Sequence, residues 1–104
     1  LHAHNFPPRA EVVPAGLPAR AMFFVASGKV QMMHPEADVS FEPGDFFGAT
    51  AMLLADAPSA PFVTATKCRL LKLHAEDFHR LELVNPRFTD EIRKRAADPS
   101  VNSR

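Results

Sequence analysis

The chain is 104 residues long, and its 12 Lys plus Arg balance 12 Asp plus Glu, for a formal net charge of zero. That length holds one domain with one small core, and the balance excludes a dedicated nucleic-acid or anionic-membrane binder while leaving room for a local patch. The single cysteine, Cys68, excludes an internal disulfide framework and a cysteine cluster for zinc; no apolar run nears the roughly 20 residues of a membrane span, and no signal-peptide pattern is present.

Residues 1–11 show no periodicity, and Pro7-Pro8 argue against a helix, so this stretch is expected as a flexible or truncated flank. The chain opens on Leu1 in a polar–apolar mixture, as a piece cut from a larger protein would. Val12-Val13 reads as a short edge strand, and the segment PAGLPARA as a turn region. The apolar run Ala21–Val25, the punctuation Ser27-Gly28 and the segment Lys29–Met33 predict a hairpin with Gly28 in its turn. His34–Asp38 reads as a second turn, after which Val39 and Phe41, two apart, share one face of a strand. Glu42-Pro43-Gly44-Asp45 has the composition of a type II turn. Thr50–Leu54 fits one helical turn before the Pro58 loop, and Phe62–Thr66 and Arg69–Leu73 fit two last strands, interrupted by Lys67. Short strands separated by Gly and Pro turns about every ten residues predict a small antiparallel barrel or sandwich.

The pattern turns helical at His74. HAEDFHRLELV places Phe78, Leu81 and either Leu83 or Val84 on one apolar side, and Pro86 either stops this helix or opens the next as its first residue. Phe88 and Ile92, four apart, share a face, and Arg93, Lys94 and Arg95 follow where cations suit the helix dipole. So short a tail cannot bury its stripe alone and must pack on the barrel or on a partner. The expected domain is residues 12–95, with 96–104 as a second flank.

Chemistry-bearing constellations are few. His34, His74 and His79 lack metal-ligand spacing, Cys68 reads as a small core residue, and Glu42 and Asp45 flank a turn without forming an acid/base dyad. With no nucleophile–base set, metal triad or P-loop, an enzyme is not expected and no catalytic or metal-binding residue is assigned. The informative stretch is FFGATAMLLADAPSAPFV, residues 46–63, which contains no Arg, Lys or Glu. Anything bound there must be held mainly by backbone amides.

Taken in order, AMFFVASGKV, EPGDFFG and LHAEDF resemble the cyclic nucleotide-binding domain family, most closely the bacterial form attached to potassium channels, over Val12 to Arg95. The resemblance implies a mainly β fold with short helices: an antiparallel eight-stranded, jelly-roll-like β-roll, a phosphate-binding cassette turn and C-terminal helices, one of which closes over the purine. The family's cassette is similar to F-G-E-x-A-L-L followed by P-R-x-A. Phe47, Gly48, Ala51, Met52 and Leu53 match its first half, but the Glu that takes the ribose hydroxyl is Ala49. The Arg that pairs with the cyclic phosphate is absent: an ungapped reading puts Pro58 in its place, and anchoring on the cassette Pro puts Ser59 there. The Thr common after the cassette Ala is also lost, with Pro61 or Phe62 in that region.

By this resemblance the ligand-holding groups are the backbone at Gly48, Ala49, Thr50 and Ala60, the Ser59 hydroxyl, and Arg93, at the place of a lid arginine. Arg93 also reads as an ordinary solvated helix-end cation. A lost buried Arg–phosphate pair costs about 2–5 kcal/mol and the lost Glu about 1.5–3 kcal/mol, so weak binding of cAMP or cGMP is expected, with no cofactor required. The implied role is a cytosolic regulatory domain of a larger bacterial inner-membrane transporter, an ion channel or a cation/proton antiporter. Partners would be a cyclic nucleotide and the rest of that transporter, with no nucleic acid and no membrane insertion by this segment. The alternative is a degenerate, non-binding domain kept as a structural or protein-interaction module. A transcription-factor sensor half finds no support, since too few helix-forming residues follow Pro86.

Overall fold

The computed structural model describes residues 1–33, 39–58 and 60–97; the turn expected at His34–Asp38 and the end of the C-terminal flank lie outside them. Among the described residues eight strands form: β1 (His2–Phe6), β2 (Glu11–Val13), β3 (Ala21–Ser27), β4 (Val30–Met32), β5 (Val39–Phe41), β6 (Phe46–Phe47), β7 (Phe62–Thr64) and β8 (Cys68–His74). They pair antiparallel in two four-stranded sheets, ordered β1-β8-β3-β6 and β2-β7-β4-β5. This is the expected eight-stranded, jelly-roll-like roll. Three helices among the described residues accompany it: α1 (Ala49–Leu53), α2 (Ala75–Val84) and α3 (Pro86–Ala97).

The near-continuous apolar run of β3 has a simple cause, because both faces of the strand are covered. Phe23 and Val25 point between the sheets with Val30, Phe41, Phe47, Phe62, Cys68 and Leu70. Met22 faces the other way and joins Phe46, Leu73, Met52, Phe78 and Ile92 beneath the helices. Side chains alternate across a strand, so β3 and β8 each feed two cores. Phe78, Phe88 and Ile92, expected on the apolar side of the helical tail, pack on the roll, whereas Leu83 and Val84, one of them expected beside Phe78, both end α2 exposed to solvent. Pro86 opens α3 as its first residue. The turn before β6 is the expected one: the Asp45 N–H donates to the Glu42 carbonyl at 2.9 Å.

Two expectations are corrected. Residues 2–6, set aside as a flank, form β1, which pairs with β8 from His2↔Lys72 to Phe6↔Cys68. Its first four side chains are exposed and Phe6 is half-buried, so the strand rests on ladder hydrogen bonds and shows no apolar alternation. The predicted hairpin of residues 21–33 does not exist either. β3 and β4 lie in different sheets, and the segment between them is a corner rather than a hairpin turn.

Gly28 makes that corner. Its neighbour Lys29 accepts the Ala65 N–H at 2.8 Å and donates its own N–H to Thr66 Oγ1 at 3.0 Å, strapping the corner to the β7–β8 turn. At φ +89° a Cβ on residue 28 would stand 2.7 Å from Cys68 Sγ and nearer still to the Lys67 carbonyl oxygen. Gly28→Ala should therefore destabilise the domain by about 2–4 kcal/mol, from left-handed strain plus overpacking. Gly16→Ala, at φ +81° with nothing within 4 Å of the new methyl, should cost only about 1 kcal/mol. Urea denaturation of both variants measures the difference, and equal losses would refute the close-approach explanation.

Candidate functional site

β6 delivers the chain to Gly48, which takes φ +80° and acts as N-cap of α1. That left-handed conformation suits glycine and turns the backbone from strand into helix within one residue. The first intrahelical bond runs from the Met52 N–H to the Gly48 carbonyl at 3.0 Å. The N–H groups of Ala49, Thr50 and Ala51 therefore belong to the unsatisfied first turn. None of them donates to another described residue, and no acidic side chain sits in that turn. The Ala49 methyl is fully buried.

The returning limb is tied down separately. Gly16 N–H donates to the Pro58 carbonyl at 3.2 Å and Ala19 N–H to the Asp56 carbonyl at 3.0 Å. Ala60 is buried just before β7. Phe47 and Phe62 stack at 5.0 Å, so the strand that opens the loop and the strand that closes it are clamped together. Gly48 and Ala60 thus bound one loop whose two limbs are fixed. Ser59 lies outside the described residues.

The remaining expected groups are placed differently. The Thr50 hydroxyl donates to the Ala96 carbonyl at 3.4 Å, so its side chain is turned to α3 and only its backbone faces the first turn. Arg93 is paired with Glu82, with its guanidinium 5.3 Å from the Phe78 ring centroid. Its charge is engaged on α2 rather than at the Gly48 turn. Arg69 is exposed on β8, opposite Asn5 and Ser27.

Two groups to which the sequence assigned no site role, Arg95 being expected only as a helix-end cation, tie α3 to β6 and α1. Arg95 stacks over Phe46 at 4.6 Å, and Ala96 is the acceptor for Thr50. Both follow Ile92 at helical spacing of three and four, so extending the Phe88–Ile92 face by one turn would have found them. A concavity of about 810 Å³ is bordered by residues that include Arg20, Met52, Leu53, His74, Glu76 and Asp77, and neither Gly48 nor Ala60 is among them. Among the described residues no group of three His, Cys, Asp or Glu gathers as a metal site. No helix among them is long and apolar enough to cross a membrane.

A two-sheet roll that sets a glycine-capped short helix between β6 and β7, and packs α3 against that helix, defines a domain fold of the cyclic nucleotide-binding type. The chain belongs to the cyclic nucleotide-binding domain family, whose pattern matches residues 3–83. It is 35% identical over 97 residues to a cyclic nucleotide-gated potassium channel of Rhizobium etli, covering 86% of this chain. It is 36% identical over 98 residues to one of Mesorhizobium japonicum, covering 94% of this chain. The chain spans 27% of the length of each of these relatives.

Among solved structures, one described with a cyclic-GMP-dependent signalling pathway of bacterial phytopathogenesis matches with TM-score 0.85 and 25% identity, over 98% of this chain and 85% of that one. The catabolite activator protein of Thermus thermophilus matches with TM-score 0.76 and 26% identity, over 88% of this chain and 45% of that one.

Proposed function

We propose that the chain is a cytosolic regulatory domain of a larger bacterial membrane transport protein, an ion channel or a cation/proton antiporter, and that it binds cAMP or cGMP weakly without turning anything over. The observation that carries this reading is the open first turn of α1. Three adjacent N–H groups follow Gly48 without a protein acceptor among the described residues, in a domain whose relatives are named as nucleotide-gated potassium channels. Helix N-termini favour anions through such groups, and the Ala60 backbone and Ser59 hydroxyl would complete the cradle.

Weakness follows from composition. Ala49 supplies no carboxylate for a ribose hydroxyl, and Arg93 is held by Glu82. Coupling would run through Thr50–Ala96 and Arg95–Phe46, because a ligand that binds α1 better in one placement of α3 than in another must shift that equilibrium. The parent protein would read this shift as a change in transport.

Titration of ¹⁵N-labelled protein with cAMP and then cGMP tests the reading. Saturable amide shifts centred on Gly48 to Ala60, with further changes near Thr50's partner Ala96, are expected. Absence of shifts at millimolar ligand would refute binding. It would favour a second reading, a non-binding module for protein contacts, which the uncharged Ala49 and the engaged Arg93 support.

A further inference from the structure

The inward face of β8 runs Cys68, Leu70, Lys72, His74, every second residue. Cys68 and Leu70 are buried between the sheets. Lys72 continues that face at the end of the roll, opposite Phe23 in register, with its ammonium 5.9 Å from the Phe23 ring centroid. A half-buried lysine is thus aimed across the mouth of the roll, where a core residue would otherwise sit.

That mouth is a pocket of about 340 Å³, within the range of small-molecule sites. Its walls are apolar, from Val12, Val13, Leu17, Ala21 and Phe23, and its polar groups are Arg20, Lys72 and His74. Among the described residues no carboxylate lines it, and neither Arg20 nor Lys72 takes part in an ion pair. Two cations bordering one apolar hollow that no described carboxylate lines are complementary to one chemical class: an anionic headgroup on a compact apolar body. The Lys72 stem lies along the wall while its charge remains available.

We infer that the mouth of the roll between β2, β3 and β8 is a second ligand site, separate from the Gly48 turn, that takes a small organic anion with an aromatic or branched aliphatic body. The anion sits between Lys72 and Arg20, and its body rests on Phe23, Val13 and Leu17. The loop of residues 14–20 roofs this pocket and also holds the cassette's returning limb through Gly16 and Ala19, so occupancy of the mouth bears directly on that limb.

The test uses three probes on the ¹⁵N-labelled protein: phenyl phosphate, benzoate and neutral benzyl alcohol. The anions should shift the amides of Val13, Leu17, Arg20 and Phe23 saturably, with at least one of them binding tenfold or more tighter than benzyl alcohol. The two anionic arms separate a phosphoryl from a carboxylate headgroup. Lys72→Met, which keeps the stem and removes the charge, should weaken the anions at least tenfold and leave benzyl alcohol unchanged; Arg20→Gln serves in its place should the first variant misfold. Equal affinities for anion and alcohol, or an unchanged affinity in the variant, overturn the proposal. So do shifts centred on Gly48 to Ala60, which would instead mark the cassette as the anion's site. A failed cAMP or cGMP titration leaves this outcome untouched, because its probes and its reporting amides are different.

Discussion

Phe47→Ala should lower the unfolding free energy by about 3–5 kcal/mol, the range for removing a large core aromatic. A domain of this size has a total of about 5–15 kcal/mol, so the variant would stand near the edge of folding. Phe47 is fully buried and packs against three rings, Phe62 at 5.0 Å, Phe23 at 5.4 Å and Phe41 at 5.5 Å. These rings come from β7, β3 and β5, so one side chain joins both sheets. The loss therefore combines transferred area, a cavity that four separate strands cannot collapse into, and the ring–ring geometry itself.

Phe88→Ala provides the contrast. That ring is half-buried and stacks on Phe24 at 6.1 Å from the outer face, so its removal should cost about 1–2 kcal/mol. Urea denaturation of the two variants against the parent chain gives both numbers. A Phe47→Ala loss below about 1.5 kcal/mol would mean that the stack is not the keystone between the sheets. Because Phe47 immediately precedes Gly48, partial loss of the stack should also blur the amide resonances of the cassette.

The helices and the turn at Glu42–Asp45 were legible in the sequence because their signals are local. Pro86 can only open a helix or break one, Phe88 and Ile92 mark a face by spacing alone, and Glu42-Pro43-Gly44-Asp45 carries its geometry in its composition. The central strands were visible as apolar runs, but which side each residue faces was not. Met22 and Phe23 look equivalent in the sequence and enter different cores, a division created by helices 50 to 70 residues further along.

β1 was invisible for the opposite reason. Its stability comes from pairing with β8, and backbone hydrogen bonds leave no side-chain pattern. Gly28 misled because a hairpin turn and a close approach between strands ask for the same residue. At the candidate site, Gly48 was readable from its place after two aromatics. The partners of Arg93 were not, since Glu82 and Phe78 meet it only through the packing of α2 against α3.

Restoring the missing guanidinium should produce the largest functional effect. The two alignments of the cassette differ by one residue, and they make different predictions. Pro58 is buried and its carbonyl is fixed by the Gly16 N–H, so an arginine placed there starts from a held backbone inside the fold. One of Pro58→Arg and Ser59→Arg should tighten cAMP or cGMP binding by about 2–5 kcal/mol, the range for a buried charge pair with phosphate, or roughly 30-fold to several thousand-fold. The other should leave affinity unchanged or destabilise the loop.

Adding Ala49→Glu to the better variant should contribute about a further 1.5–3 kcal/mol through a charge-assisted bond to the ribose. That gain is offset in part by the space its side chain must find, since residue 49 is fully buried. Isothermal titration calorimetry of the single and double variants measures each step, with urea denaturation alongside to separate affinity from folding. If neither arginine raises affinity while both variants remain folded, the Gly48 turn is not a phosphate cradle, and the domain serves through its surfaces instead.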